Sequence, residues 1–227
     1  QVFGGVLNDT IIGTNADEVL EGRSGNDRLE GRGGADILRG GADQDVLIGG
    51  AGADTLIGGS ETDTADYSGA GAGVTVYTDG TAGLVDDAAG DTLDSIEVVI
   101  GSDFNDTLFG NNSFATTLEG GDLNDILTGG TLADILRGQD GDDTLIGLAG
   151  SDTLEGGAGF DTADYSASSA AITVSLDGSL GAGGDAIGDS LSSIERVIGS
   201  SSNDTITGFT GNETLEGGEG ADTLDGD

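Results

Sequence analysis

Aspartate recurs at nine-residue intervals along most of this chain, five residues after a glycine and, in all but two units, two before a leucine or isoleucine. From Gly22 the sequence reads GRSGNDRLE, GRGGADILR, GGADQDVLI and GGAGADTLI, with glycine at position 1, aspartate at position 6 and leucine at position 8. Carboxylates can act as general acids and bases in pairs, as in glycoside hydrolysis. Here every strong carboxylate already holds a repeated role, and nothing marks one pair as different. The chain has no His or Cys, and its six basic residues are all arginine, so the common nucleophiles and bases reduce to Ser, Thr and the carboxylates themselves. The expectation is that the chain is not an enzyme. Oxygen-rich turns without thiolate or imidazole suit a hard cation.

The same spacing sets the elements that hold these carboxylates. Six residues, G-G-x-G-x-D, can form a tight turn whose glycines accept positive φ at little cost. The next three form a short strand whose middle residue points inward. Position 8 runs from Ile11 and Leu20 to Leu56, from Leu108 to Leu154, and through Ile206, Leu215 and Leu224, a one-dimensional core. Ala65 and Ala163 replace it in the last unit of the two complete blocks, where the core should narrow.

Seventeen units in phase fall into three blocks, residues 1–66, 101–164 and 199–227, separated by spacers 67–100 and 165–198. A second period of 98 residues relates GGSETDTADYS (58–68) to GGAGFDTADYS (156–166) and DTLDSIEVVIGS to DSLSSIERVIGS. Val74 and Val76, like Ile172 and Val174, alternate with polar residues and read as inward-facing strands, and the Ile96/Val98/Ile100 and Ile194/Arg196/Ile198 runs as a second strand. At 34 residues each spacer is close to two 18-residue coils, so the expectation is one continuous array with wider, cation-poor coils between blocks; a protruding hairpin is the alternative. Tyr67 and Tyr165, in matching DYS motifs, fit block-end packing better than a ligand-stacking pair.

Composition narrows the function. Forty-three carboxylates against six arginines give a formal charge of −37, whose self-repulsion opposes any compact state without counterions. That charge argues against nucleic acid, whose phosphates need cationic side chains, and against insertion into anionic membranes. No apolar run approaches the ~20 residues of a spanning helix. The absence of methionine suggests a window of a longer protein or a processed product.

The G-G-x-G-x-D-x-U-x pattern resembles the haemolysin-type, repeats-in-toxin (RTX) calcium-binding nonapeptide family. The resemblance implies an all-β fold, a right-handed parallel β-roll or β-solenoid with 18 residues per coil. It implies calcium between turns stacked on one side, shared by aspartates 18 residues apart. Carried onto this sequence, Asp9, Asp27, Asp45 and Asp63 form one file, opposite Asp36 and Asp54; Asp106, Asp125, Asp143 and Asp161 form another, opposite Asp134 and Asp152; Asp204 and Asp222 complete the set. Backbone carbonyl ligands would come from Gly22, Gly31, Gly40, Gly49, Gly58, Gly129, Gly138, Gly147, Gly156 and Gly217. Neighbouring aspartate pairs give about nine calcium ions, whose added charge of about +18 would bring the chain to about −19. The second unit of each block has Glu18, Thr116 or Glu213 in place of the aspartate, where weak or absent sites are expected. Position 4 is Leu7, Ala16, Asp43, Glu61, Phe104, Leu123, Leu132 or Ser202 in eight units, where looser or differently shaped turns are expected.

The resemblance further implies a calcium-dependent folding and structural module of a bacterial protein exported by type I secretion, unfolded in the cytosol and folded outside. A cell-surface, S-layer, adhesin or filament component is the leading reading. The alternative is the C-terminal repeat domain of a secreted enzyme or toxin (protease, lipase, epimerase or haemolysin). The expected partners are calcium and, if terminal coils do not simply fray, identical copies stacked end to end.

Overall fold

A computed structural model describes residues 1–209 and 211–226 of the chain. Among them the structure is short strands and turns, with two three-residue 3₁₀ segments, Asp86–Ala88 and Gly184–Ala186. The chain divides into two compact units, Gln1–Phe109 and Gly110–Asp227, and each is a parallel β-solenoid.

In the first unit, strands Val2–Phe3, Val19–Ser24, Ile37–Ala42, Thr55–Ser60 and Thr92–Asp94 make one sheet. The alternate strands Thr10–Ile12, Arg28–Gly33, Val46–Ala51, Thr64–Asp66 and Val98–Ile100 make the facing one. Along the repeats every pairing is parallel with a register of 18, Leu20 beside Leu38 beside Leu56, and Leu29 beside Leu47. Two nonapeptides therefore complete one coil. The second unit repeats the plan, with Thr117–Asp122, Ile135–Asp140, Thr153–Ala158 and Ser190–Ser192 on one side and Ile126–Thr128, Thr144–Ile146, Thr162–Asp164, Arg196–Ile198 and Thr214–Glu216 on the other.

The middle residue of each strand is the core. Leu20, Leu29, Leu38, Leu47 and Leu56 are fully buried, as are Leu118, Leu127, Leu136, Leu145 and Leu154, while Leu224 in the last strand is 46% exposed. Each buried leucine contributes about 1.5–3 kcal/mol. Ordering the nine backbone residues of its unit costs about 9–18 kcal/mol. The core alone is thin, so what happens in the turns decides stability.

The spacers form coils of the same solenoids. Thr92–Asp94 adds to Thr55–Ser60 at a register of 37, and Val98–Ile100 to Thr64–Asp66 at a register of 34. The buried residue of the latter strand is Val99, in line with Ala65, so the phase is one residue off that expected from Ile96, Val98 and Ile100; Val197 does the same beside Ala163. Thr75–Tyr77 starts a new sheet by pairing with Thr107–Phe109, and Thr173–Ser175 does so with Thr205–Thr207, which Thr223–Asp225 then extends. Between them an antiparallel bridge, Thr75 to Leu84 or Thr173 to Ala182, closes the wider loop.

Candidate cation sites

Position 6 falls where the turn re-enters the strand, and its carboxylate lies over the turn of its own unit. Asp27, Asp36, Asp45, Asp54, Asp63, Asp106, Asp125, Asp134, Asp143, Asp152, Asp161 and Asp204 are all buried. One oxygen of each file member accepts the backbone N–H of the residue one coil earlier. Asp9 N–H donates to Asp27 Oδ1 at 2.8 Å, Asp27 to Asp45 at 2.8 Å and Asp45 to Asp63 at 2.9 Å. On the other edge Glu18 N–H donates to Asp36 and Asp36 N–H to Asp54, both at 2.7 Å. In the second unit the chains run Asp125 to Asp143 to Asp161, Thr116 to Asp134 to Asp152, and Asp204 to Asp222.

The second oxygen divides the turns into two kinds, and the backbone of position 2 separates them. In five units position 2 keeps negative φ and its N–H donates to the position-6 carboxylate of the same turn: Gly5 to Asp9, Thr14 to Glu18, Ser102 to Asp106, Gly130 to Asp134 and Ser200 to Asp204. These turns are closed. In ten others position 2 is left-handed: Arg23, Arg32, Gly41, Gly50, Gly59, Gly121, Gln139, Leu148, Gly157 and Gly218. These turns are open. In them the second carboxylate oxygens of Asp27, Asp36, Asp45, Asp54, Asp63, Asp143, Asp152 and Asp161 are buried without a hydrogen-bond partner. A buried carboxylate oxygen with no donor carries a large desolvation cost, so each marks a place for a cation.

Position 1 shows what surrounds that place. A side-chain carbon on Gly31 would lie 2.6 Å from the Gly49 carbonyl oxygen and against Asp36 Oδ2. One on Gly138 would lie 2.7 Å from the Gly156 carbonyl oxygen and against Asp143 Oδ2. The carboxylate of one turn and the glycine carbonyl of the next coil thus crowd position 1, as they also do at Gly4, Gly129 and Gly199 in closed turns, so only glycine fits there and the bare carboxylate oxygen is what sets the open turns apart. Gly22, Gly40, Gly49, Gly58, Gly147, Gly156 and Gly217 begin open turns of the same kind. Gly129 begins a closed one, and Gly120, absent from the expected carbonyl set, begins an open one whose aspartate is Asp125.

Position 4 follows the same division. Asp43, Glu61 and Leu123 are left-handed like the glycines Gly25, Gly34 and Gly52 at that position, so those turns keep the open shape at some backbone strain. Leu7, Ala16, Phe104, Leu132 and Ser202 are not left-handed, and theirs are the five closed turns.

The files also run into the spacers, which the nine-residue phase does not reveal. Asp54 N–H donates to Asp91 Oδ1 at 2.7 Å and Asp152 N–H to Asp189 Oδ1 at 2.8 Å. Asp63 and Asp161 N–H donate to Glu97 and Glu195. The GDTL at 90–93 and GDSL at 188–191 carry the aspartate-x-leucine signal that could have found the first pair. Tyr67 Oη donates to the other oxygen of Asp91 at 3.1 Å, and Tyr165 Oη to that of Asp189 at 2.9 Å. Burial, then the neighbouring carboxylates, pushes both phenols well above their ordinary range, so they remain donors.

Burial drives the open carboxylates toward their neutral form. It is opposed by the backbone N–H bond and reinforced by repulsion from neighbouring carboxylates. Asp45, Asp54 and Asp161 are pushed up to about 6, and Asp63 and Asp152 to about 7. Burial also raises Asp27, Asp36 and Asp143. A cation in contact with these oxygens would reverse the trend, because it favours the charged form.

A family model for the RTX calcium-binding nonapeptide repeat matches residues 3–38, 12–47, 30–65, 91–127, 119–154, 128–163 and 191–227, well over half of the chain. The chain belongs to this family. No curated protein matches it. The matched RTX segments resume at Asp91, where the file re-enters the solenoid. RTX repeats bind calcium, and eight of the open turns suit that ion with one buried carboxylate oxygen without a donor, as at Asp36 and Asp143 beside the Gly49 and Gly156 carbonyls of the adjoining coil. Among the described residues no three acidic side chains cluster as a metal site, so most of the six to eight oxygens calcium takes would come from backbone carbonyls and water. Bound calcium would supply positive charge to oxygens that the backbone cannot satisfy. Among the described residues no helix is long and apolar enough to cross a membrane.

Proposed function

We propose that this chain is a calcium-dependent folding and structural module of a bacterial protein exported by type I secretion, working outside the cell in a surface layer, adhesin or filament. The observation that carries the reading is the row of open turns. Eight of them bury a carboxylate oxygen that no protein group satisfies, beside a core of one leucine per nine residues. Such a fold is unfavourable without cations and becomes favourable when they bind, since the ion binds the folded state and only weakly the unfolded one. Extracellular calcium sites have affinities of about 10⁻⁴–10⁻³ M. The chain would therefore stay extended and exportable at cytosolic calcium and stiffen outside.

The 98-residue period favours a long array over a single tail. The reading assigns the chain no catalytic role. It includes end-to-end stacking of copies. Single-molecule pulling on the chain tests the mechanical role. In millimolar calcium the repeats are expected to resist force and give way in steps. A chain that stretches without resistance in calcium as it does in chelator would refute it.

A further inference from the structure

The spacers differ from the repeats in the two properties that make the repeats need a cation. The first is core. Spacer 67–100 buries Tyr67, Val74, Val76, Leu93, Ile96 and Val99, whereas the 34 residues from 20 to 53 bury four leucines. Spacer 165–198 buries the six matching side chains, Tyr165 to Val197. The second is the state of the carboxylate. Asp91 sits in the same file as Asp36 and Asp54, and its first oxygen accepts the Asp54 N–H as theirs accept from one coil back. Its second oxygen, the counterpart of the atoms left bare in Asp36 and Asp54, accepts the Tyr67 hydroxyl. Tyr165 does the same for Asp189.

The surrounding backbone is closed as well. Thr75 and Leu84 exchange both hydrogen bonds, Gly83 N–H donates to Asp91 O, and Asp91 N–H donates to Ala88 O. Thr173, Ala182, Gly181, Asp189 and Ala186 repeat these bonds in the second spacer. The turn that follows each spacer is a closed one, with Ser102 on Asp106 and Ser200 on Asp204. From Tyr67 to Asp106, and from Tyr165 to Asp204, no carboxylate of the open kind occurs among the described residues.

We propose that each spacer is a cation-independent segment of the solenoid, in which a tyrosine hydroxyl takes the place a cation takes along the repeats. It keeps its fold when calcium is withdrawn and serves as the template on which the preceding repeats restack. A neutral O–H suffices at this one position because the file ends there: beyond Asp91 and Asp189 no further open carboxylate follows before the closed turn. The inference rests on the reading that calcium folds the repeats.

Hydrogen exchange on the whole chain, in chelator and in millimolar calcium, tests both and tells them apart. In chelator the amides of Thr75, Leu84 and Asp91, with Thr173, Ala182 and Asp189, are expected to exchange at least tenfold more slowly than those of Leu29, Leu38, Leu47 and Leu145. In calcium all of them are expected to be protected. Spacer amides that exchange as fast as the repeats in chelator, while calcium still protects everything, overturn the inference and leave the calcium reading standing. Repeat amides already protected in chelator sink the calcium reading itself. The double variant Tyr67→Phe/Tyr165→Phe keeps the rings and removes the hydroxyls. It is expected to lose the spacers' protection in chelator at least tenfold while the repeats stay protected in saturating calcium. Undiminished spacer protection in chelator would show that the hydroxyl does not stand in for the cation.

Discussion

Two glycines of one strand, two residues apart, separate the cation space from ordinary backbone. A side-chain carbon on Gly31 would lie 2.6 Å from the Gly49 carbonyl oxygen and against Asp36 Oδ2, whereas one on Gly33 would find nothing nearer than 3.6 Å. Neither residue is left-handed, so neither substitution strains φ. Gly33→Ala should therefore stabilise slightly, by about 0.4–1 kcal/mol, through the unfolded chain alone. Gly31→Ala forces the carbonyl or the carboxylate to move, at about 1–3 kcal/mol for an overpacked methyl. It also fills the space where Asp36 and the Gly49 carbonyl converge. A site at a hundred times its dissociation constant contributes about 2.7 kcal/mol, so losing it brings the total cost of Gly31→Ala to about 4–6 kcal/mol in saturating calcium. Urea melts at fixed calcium measure the stabilities, and titration calorimetry counts the ions. Gly31→Ala should bind fewer ions than Gly33→Ala. Equal stabilities, or equal ion counts, would refute the placement of the cation between position 1 and position 6.

Asp45→Asn, at an open turn, should cost at least about 1 kcal/mol more in calcium than Glu18→Gln, whose carboxylate is already held by Thr14; calcium-saturated melts that shift equally would contradict the division into open and closed turns. Acid should partly replace calcium. With folded values of about 6–7 at Asp54, Asp63 and Asp152 against an ordinary 3.8, the cation-free fold binds more protons than the unfolded chain. Its stability is greatest below about pH 4 and is lost as pH rises through 6–7. Circular dichroism in chelator should gain β signal from pH 8 to pH 5; a signal in chelator that does not change over this range would count against the raised values at these groups.

The fold was legible because its period is short and its core is a single row. Leucine every ninth residue fixes the inward position of each strand, and Leu20, Leu38 and Leu56 stack as that period requires. The aspartate files were legible for the same reason. The difference between open and closed turns was legible only in part: all five closed turns lack glycine at position 4, but Asp43, Glu61 and Leu123 are left-handed there and keep open turns, and position 2 gives no guide. Gly5 and Gly41 are the same residue at the same position, yet only Gly41 is left-handed. Ser102, Thr14 and Ser200 lie in closed turns while Arg23, Arg32 and Leu148 adopt the strained conformation, so residue type at position 2 does not decide. The spacers hid their file members because registers of 37 and 34 break the phase that the eye follows. Tyr67 reads as a packing residue, and it is buried; its hydroxyl partner lies 24 residues away, beyond any local pattern.

The most direct test of the account is a calcium titration of the isolated chain from chelator upward, followed by far-ultraviolet circular dichroism. The account predicts that most of the β signal is absent in chelator and appears cooperatively at about 10⁻⁴–10⁻³ M calcium, leaving only a small residual contribution from the spacers at the start. Full β signal in chelator at neutral pH, unchanged by calcium, would contradict it.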